Sequence, residues 1–264
     1  ISNTLFRREY MQIILASAKI MRDFPGISGF ISTHPRFGDE AAAFAGELAG
    51  WTVEELADAF GCSTSIAKLN QERYRVFGSQ EAELSPAIFA YHGQAYKHLK
   101  AETLTAPDLE WACSHLWISS CMYGLLRPSD LINQYRMDGS LSLRSSGGIR
   151  VSEFWKSRLT DVLIDSVISD DGILVYLDTE EYRALFDWKR VLDTIRVIEP
   201  SFHVVKNGKL TTPAVWAKTC RGAMARFIID KRLTDCIGLY DFGENGFCFD
   251  PGLSSSMRPV FVRH

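Results

Sequence analysis

The sequence predicts an α+β protein in which a mixed sheet is flanked by helices. Short apolar runs of strand length are interspersed with segments of helical spacing, and they lack the regular strand–helix–strand alternation of a fully parallel sheet. The chain of 264 residues is 46% apolar and 23% charged, which is typical of globular proteins. No repeat and no Pro/Gly/Ser-rich linker divides it. We therefore expect a single compact domain over residues 11–264.

The first quarter of the chain predicts one strand and two capped helices. The apolar run Met11 to Ala16 predicts a short buried strand, and the segment from Pro25 to Asp39 carries glycines and prolines that predict irregular structure. Thr52, followed three residues later by Glu55, has the spacing of a capping box at the start of a helix. A second helix is predicted from about Thr64 to Tyr74.

The middle of the chain mixes both patterns. An apolar run after Pro86 predicts a strand, a long apolar stretch containing Gly124 predicts a buried segment, and an Asp-Gly pair predicts the turn of a hairpin. In chain order, the expected elements are a strand at Ala87 to Tyr91, helices at Tyr96 to Leu99 and Pro107 to Leu116, a buried segment at Trp117 to Leu126, and a hairpin over residues 133–143.

The last third of the chain predicts two long helices with strands between them. Helical spacing of apolar residues marks the helices, while apolar runs and alternation mark the strands. The expected elements are a helix at Val151 to Ile168, a strand at Ile173 to Leu177, a strand at Arg196 to Val205 that turns at Asn207-Gly208 into Leu210 to Val215, and a helix at about Ala217 to Arg232.

The net charge gives no overall sign of a polyanion partner, but its distribution does. The chain has 29 basic and 32 acidic residues, a formal charge of -3. Between Arg183 and Arg232, however, eleven basic residues face four acidic ones, so this stretch carries +7 and the remainder -10. Such an asymmetry indicates a local basic surface.

A helix, a glycine turn and a second helix form the first candidate site, around Gly61, Ser63 and Lys68. The register after the turn does not fit the recognition helix of a helix-turn-helix. A helix-hairpin-helix, which offers backbone N–H groups to a DNA phosphate, tolerates the shorter turn. An ordinary αα-hairpin with a glycine C-cap explains the same residues.

Three cations on the C-terminal helix form the second candidate site. Lys218, Arg221 and Arg226 share an arc of about 140° at 100° per residue, opposite Met224 and Phe227. A basic helix face suits contacts to phosphates. A face that is merely solvated or salt-bridged has the same pattern.

Lys19 and Arg127 form the third candidate site. Lys19 follows the first strand, and Pro128 holds Arg127 in extended geometry, where Asp130 or Asp138 could orient it. A lysine beside carboxylates is either an imine-forming nucleophile or one half of a structural ion pair. No Ser/His/Asp order, phosphate-binding Walker loop or His-Glu-x-x-His motif is present.

The sequence predicts no metal site and no organic cofactor. The only local candidate for zinc, Cys113 with His115 and Cys121, has a spacing that matches no known ligand pattern. The six cysteines include no Cys-x-x-Cys pair, apolar runs are too short to span a membrane, and residues 1–10 do not resemble a secretory signal. We therefore expect a cytoplasmic protein.

Many dispersed residues, in one order from Met11 to Arg263, resemble the YaaA family of bacterial peroxide-stress proteins. Met11 matches the family's initiator, so residues 1–10 are expected to be an N-terminal extension or a remnant of expression. One departure is Ser17, where the family pattern usually has proline. The matching residues are Ala18-Lys19, Asp23-Phe24, Asn70, Arg73, Gly93, Tyr96, Ala101 to Thr103, Tyr123-Gly124, Leu126 to Pro128, Asp130-Leu131, Tyr135-Arg136, Phe154-Trp155, Glu181-Tyr182, Lys218, Arg221-Gly222, Met224 and Arg226 to Ile229.

The resemblance implies a cytoplasmic protein with a family-specific fold that protects cells from hydrogen peroxide by limiting free iron and the damage it causes to DNA. It also implies a basic cleft, a helix-hairpin-helix at Phe60 to Ala67, and binding to duplex and branched DNA. The expected DNA contacts are Gly61, Ser63, Lys68, Arg73, Arg127, Arg136, Lys218, Arg221 and Arg226.

The leading hypothesis is therefore a DNA-binding protein of the oxidative-stress response that is not an enzyme. The rival hypothesis is an enzyme acting on a nucleobase or nucleotide, with Lys19 and either Asp130 or Glu181 as the reacting pair. A third hypothesis, direct iron binding, needs clustered ligands that no local pattern shows.

Overall fold

The computed structural model describes residues 10–24, 27 and 29–264. The expected N-terminal extension, apart from Tyr10, lies outside the described residues. In the part that is described, no helix is long and apolar enough to cross a membrane.

The strands are short and lie in three sheets. In chain order they are β1 (Gln12–Ala16), β2 (Ser85–Pro86), β3 (Leu116–Ser120), β4 (Gly124–Leu126), β5 (Leu131–Ile132), β6 (Ile173–Leu177), β7 (Arg196–Ile198), β8 (Ser201–Lys206), β9 (Lys209–Thr211), β10 (Cys248–Phe249) and β11 (Val260–Arg263).

The helices separate these strands and account for most of the regular structure. In chain order they are α1 (Gly38–Ala49), α2 (Val53–Phe60), α3 (Thr64–Val76), α4 (Ala87–Ala90), α5 (Gln94–Leu99), α6 (Ala106–His115), α7 (Val151–Ile168), α8 (Glu180–Arg183), α9 (Trp188–Thr194) and α10 (Ala214–Lys231).

The main sheet has the strand order β4-β3-β1-β6-β7, in which β3, β1, β6 and β7 are parallel and β4 is antiparallel to β3. A second sheet has the order β10-β11-β8-β9, and β2 pairs with β5. The expected mixed sheet flanked by helices is confirmed. The central strands are buried at nearly every position, which requires cover on both faces; α10 packs on β1 and β6, and α7 packs on β4 and β6.

The order of the main sheet creates a crevice between β1 and β6. The chain leaves β1 toward β3 on one side, whereas it leaves β6 toward β7 on the other. Adjacent parallel strands whose connections diverge in this way open a crevice at their carboxyl ends, where ligands of open α/β sheets bind.

Several element boundaries agree with local sequence signals. The Thr52 side chain accepts a hydrogen bond from the Glu55 backbone N–H, and the Glu55 side chain accepts one from that of Thr52, which confirms the capping box at the start of α2. Both α7 and β6 have the predicted bounds. α10 begins three residues earlier than predicted, at Ala214.

The predicted strand at Ala87 to Tyr91 is wrong. Residues Ala87–Ala90 form the single helical turn α4, and all four are buried. A short apolar run has the same composition in a buried strand and in a buried helical turn, and here the Ala87 N–H donates to the carbonyl of Asp130, outside any long ladder.

Two other strand predictions are wrong in detail. Residues 133–143 contain the predicted Asp138 turn, in which the Asp138 side chain accepts hydrogen bonds from Ser140, but they form no paired strands. The single strand predicted over Arg196 to Val205 is two, because Glu199-Pro200 interrupts it and the parts join different sheets.

Helix α1 was not predicted. The expected irregular segment, Pro25 to Asp39, covers its first two residues, although the buried residues of α1 have helical spacing. Its N-terminal neighbour Phe37 provides no side-chain cap, so the usual start signal is absent.

Candidate functional site

A pocket of about 420 Å³ lies at the carboxyl ends of β1 and β6, in the crevice that the sheet order creates. We call it the sheet-edge pocket. The segments after the two strands form its floor, and the first halves of α5 and α10 form its walls. Its polar lining residues include Ser17, Lys19, Glu181, Tyr182, Lys218 and Arg221.

Gly93 allows the start of α5 to pack closely against the segment that follows β1. A Cβ atom at Gly93, which precedes α5, would lie 2.7 Å from the Cβ of Ala18. Only a residue without a side chain therefore lets the start of α5 reach the segment that carries Lys19.

Four cations line this pocket, namely Lys19, Lys97, Lys218 and Arg221. Lys19 is 55% exposed and its Nζ lies 3.9 Å from Oδ2 of Asp138, while Lys218 is exposed and Arg221 is half-buried. None of the ion pairs within the described residues involves Lys218 or Arg221. These two charges therefore remain available to an anionic ligand.

A buried carboxyl group, Asp178, interacts electrostatically with Arg221. Asp178 directly follows β6 and is 1% exposed; it accepts hydrogen bonds from the Ser119 hydroxyl and from the Thr179 N–H at 2.6 Å. Burial raises the pKa of Asp178 to about 7, although the Arg221 charge opposes this. Burial also lowers the pKa of Arg221, which the Asp178 carboxylate counteracts.

Hydrogen bonds of three hydroxyl groups hold the residues at the floor of the pocket in place. The Ser17 and Tyr182 hydroxyls are hydrogen-bonded at 2.8 Å, and the Tyr96 hydroxyl donates to the Ala16 carbonyl at 3.0 Å. Burial raises the pKa of Tyr182 and of Tyr96 well above the usual value. Both phenols therefore stay protonated and act as neutral hydrogen-bonding groups.

Lys19 and Glu181 line the same pocket, as one form of the rival hypothesis required. The other form, which paired Lys19 with Asp130, is wrong. The Asp130 carboxylate is buried and accepts hydrogen bonds from the Thr33 hydroxyl at 2.7 Å and from the Arg127 backbone N–H at 2.8 Å.

Arg127 lies at the opposite edge of the main sheet, so the expectation that it lines the cleft with Lys218 is wrong. Its guanidinium lies 3.4 Å from the ring centroid of Trp117 and donates to Gln12 at the start of β1 and to Ser166. Burial lowers the pKa of Arg127 to about 10. This cation is engaged within the protein and lines a separate pocket together with Gln12 and Ser166.

Arg226 is also engaged within the protein. Its Nε lies 2.8 Å from both carboxylate oxygens of Asp230, and its Nη1 donates to the Lys100 carbonyl and the Thr103 hydroxyl. It therefore joins α10 to the turn after α5. The predicted basic face of α10 is reduced to Lys218 and Arg221 at its N-terminal half.

Arg136 is not among the residues that line the pocket, but its charge acts on Asp138, the ion-pair partner of Lys19. Burial alone would raise the pKa of Asp138, but hydrogen bonds from Ser140 and the charges of Lys19 and Arg136 lower it below its usual value. Asp138 thus pairs with Lys19 and not, as the sequence suggested, with Arg127.

The helix–turn–helix segment lies apart from the pocket lining. Gly61 ends α2 in the left-handed conformation (φ 52°, ψ 48°) and Ser63 caps α3, so the predicted turn between two helices is confirmed, while its contact with phosphate stays a prediction. Gly61, Ser63 and Lys68 are exposed. Arg73 is half-buried and donates to Asn70 and Gln134.

Sequence reasoning missed Asp178, His92 and Gln94, which belong to this site or lie beneath it. Asp178 had a usable signal, because it is an acidic residue placed directly after a buried strand. The other two depend on how α5 packs and had none. Among the described residues, no three His, Cys, Asp or Glu side chains come together as a metal site would require.

The protein is thus a mixed α/β protein with a basic pocket at the point where the connections of two parallel strands diverge. Comparison with known sequences gives the family. A profile described as "Peroxide stress protein YaaA" matches residues 11–253. The chain belongs to this family of peroxide stress proteins, as its dispersed motifs indicated.

Relatives from several bacteria share nearly the whole chain. A UPF0246 protein of Bacteroides thetaiotaomicron is 39% identical over 252 residues, covering 96% of this chain and 98% of the relative. Those of Porphyromonas gingivalis (34%, covering 96% and 99%) and Ruegeria pomeroyi (35%, covering 88% and 91%) are similar over comparable lengths.

Proposed function

We propose that this peroxide stress protein binds DNA through phosphate contacts around the sheet-edge pocket and thereby limits peroxide- and iron-dependent damage. The observation that carries the proposal is the convergence of Lys19, Lys218 and Arg221 at one pocket, two of them without an ion-pair partner among the described residues. DNA would be met in the bacterial cytoplasm, the location expected from the sequence.

The N-terminal end of α10 supports this proposal. Ala214 and Val215 line the pocket and α10 is 18 residues long, so the positive end of its dipole adds to the charges of Lys218 and Arg221. Elsewhere the +7 stretch is partly neutralised, since Arg183, Lys189, Arg190, Arg226 and Arg232 form ion pairs with carboxylates.

Binding of this kind reads the backbone and not the bases. If three cations each neutralise one phosphate, the logarithm of the association constant falls with the logarithm of salt concentration with a slope of about −2.7. Little preference among sequences is expected, because phosphate contacts carry no base information.

A fluorescence-anisotropy titration of a labelled duplex and a labelled branched DNA across salt concentrations tests the proposal. Lys218→Gln should weaken binding and reduce the salt slope by about 1. Lys231→Gln, at the far end of the same helix, removes the same charge and should leave both unchanged. No binding at low salt, or equal effects of the two variants, would contradict it.

A second candidate is an enzyme acting on a nucleobase or abasic nucleotide, favoured by Lys19 and Glu181 lining one pocket. After losing a proton, the Lys19 amine would attack the C1′ aldehyde of an abasic site, expel water and form an imine. Borohydride would reduce that imine to a stable secondary amine. Trapping that is lost in Lys19→Ala and kept in Lys97→Ala, a variant of another lysine that lines the pocket, would establish this activity. No trapping in the unmodified protein would exclude it.

A further inference from the structure

We infer that the sheet-edge pocket receives a single nucleotide turned out of a DNA strand, with its phosphate at Lys218 and Arg221 and its base against the apolar wall. This inference deepens the proposed function and rests on it. It assigns the pocket a ligand class, whereas the proposed function assigns only contacts to the backbone.

The size of the pocket is the first argument. Its volume of about 420 Å³ falls within the range of about 300–1,000 Å³ that is typical of small-molecule sites. A double helix, whose major groove alone is about 12 Å wide, cannot enter such a space. DNA at the surrounding cations therefore reaches the interior only through one unit extruded from the stack.

The distribution of polarity is the second argument. The apolar part of the lining comes from aliphatic residues at the strand ends and from two aromatic rings. The aliphatic residues are Leu15, Ala16 and Leu177, and the rings are those of Tyr96 and Tyr182. Lys218 and Arg221 supply the charge. A nucleotide has the same division, since a flat base with apolar faces is joined to an anionic phosphate.

Two exposed aliphatic side chains are the third argument. Ile20 is 61% exposed and Val215 is 62% exposed, and both line the pocket, one beside Lys19 and the other one turn before Lys218. Apolar side chains next to DNA-binding cations insert between base steps and unstack them. Ile20 and Val215 are thus placed to fill the gap that an extruded base leaves.

Glu181 and Gln94 indicate which bases suit the pocket. A carboxylate accepts hydrogen bonds and cannot donate them when ionised. The Gln94 amide nitrogen is engaged by the Thr219 hydroxyl at 2.8 Å, so its carbonyl oxygen is the group available to a ligand. Two acceptors favour a base with an exocyclic amino group over thymine or uracil.

The test uses a duplex with 2-aminopurine, which fluoresces more strongly when unstacked, at a mismatched position. Added protein should raise the fluorescence, and free dAMP should reverse the rise better than dTMP. Ala214→Trp, which fills the mouth from an exposed alanine, should abolish most of the rise at protein concentrations where anisotropy shows that the duplex is saturated. Ala43→Trp, at an exposed alanine of α1, should change neither signal.

A second pair of variants tests the base contact. Glu181→Gln should reduce the advantage of dAMP over dTMP, whereas Glu180→Gln, which removes the neighbouring charge, should not. Salt-sensitive DNA binding without a fluorescence rise, or with a rise that Ala214→Trp does not affect, would overturn this inference and leave the proposed function intact. Absence of DNA binding would overturn both.

Discussion

The carbonyl oxygen of Ala95 occupies the space where a side chain at Gly222 would begin. A Cβ atom at Gly222 would lie 1.8 Å from that oxygen, far inside van der Waals contact. This contact lets α5 and α10 cross closely, and the two helices hold Gln94 and Lys218 on facing walls of the sheet-edge pocket.

Gly222→Ala should therefore separate α5 from α10 and destabilise the protein by about 3 kcal/mol, because overpacking a rigid backbone contact leaves no room for relaxation. Urea unfolding measures the loss. The matched control is Gly46→Ala on α1, where the added Cβ meets nothing within 4 Å, and which should stabilise by about 0.5–1 kcal/mol. Equal changes in the unfolding free energy of the two variants would contradict the close crossing of α5 and α10.

Asp178→Asn should change how stability depends on pH. Burial raises the folded-state pKa of Asp178 from 3.8 to about 7, so the folded protein retains a proton that the unfolded chain loses. The stability gained from that proton is complete below about pH 4 and is lost as the pH rises to about 7. An asparagine keeps partners for Ser119 and Thr179 but does not titrate.

Urea unfolding at several pH values compares the two proteins. The difference in unfolding free energy should move in favour of the variant between pH 4 and pH 7 and stay constant above that. A constant difference over the whole range would mean that folding does not shift the pKa of Asp178.

Arg226→Gln should lower stability without changing the response of DNA binding to salt. The variant removes a two-oxygen contact with Asp230 and the hydrogen bonds to the turn after α5, at a cost of about 2 kcal/mol. Because Arg226 is engaged inside the protein, we expect the salt slope in anisotropy titrations to match that of the unmodified chain. A slope reduced by about 1 would instead show that Arg226 contacts phosphate.

Gly61→Ala should cost about 1 kcal/mol, because an alanine resists the left-handed backbone that ends α2, and Gly61→Asn should cost less, because asparagine tolerates it better. Nothing lies within 4 Å of the added Cβ, so the effect isolates backbone conformation. Thermal or urea unfolding of the two variants measures it. Identical losses in both would indicate another cause.

Elements with local signals could be predicted from the sequence. The capping box of Thr52 and Glu55, the bounds of α7 and β6, and the turn at Gly61 depend on residues a few positions apart. The family could also be identified from the sequence, because the matching residues occur in the same order along the chain. The short run Ala87 to Tyr91 was misread because apolar composition alone does not distinguish a buried turn of helix from a strand.

The set of charged side chains that come together depends on the three-dimensional fold. Lys19, Glu181, Lys218 and Arg221 are far apart in sequence and converge because β1 and β6 pair in parallel and their connections diverge. Arg127 and Asp130 look equally suitable in sequence, yet they lie elsewhere because Arg127 reaches the amino end of β1. Strand order is a long-range property, and no local pattern encodes it.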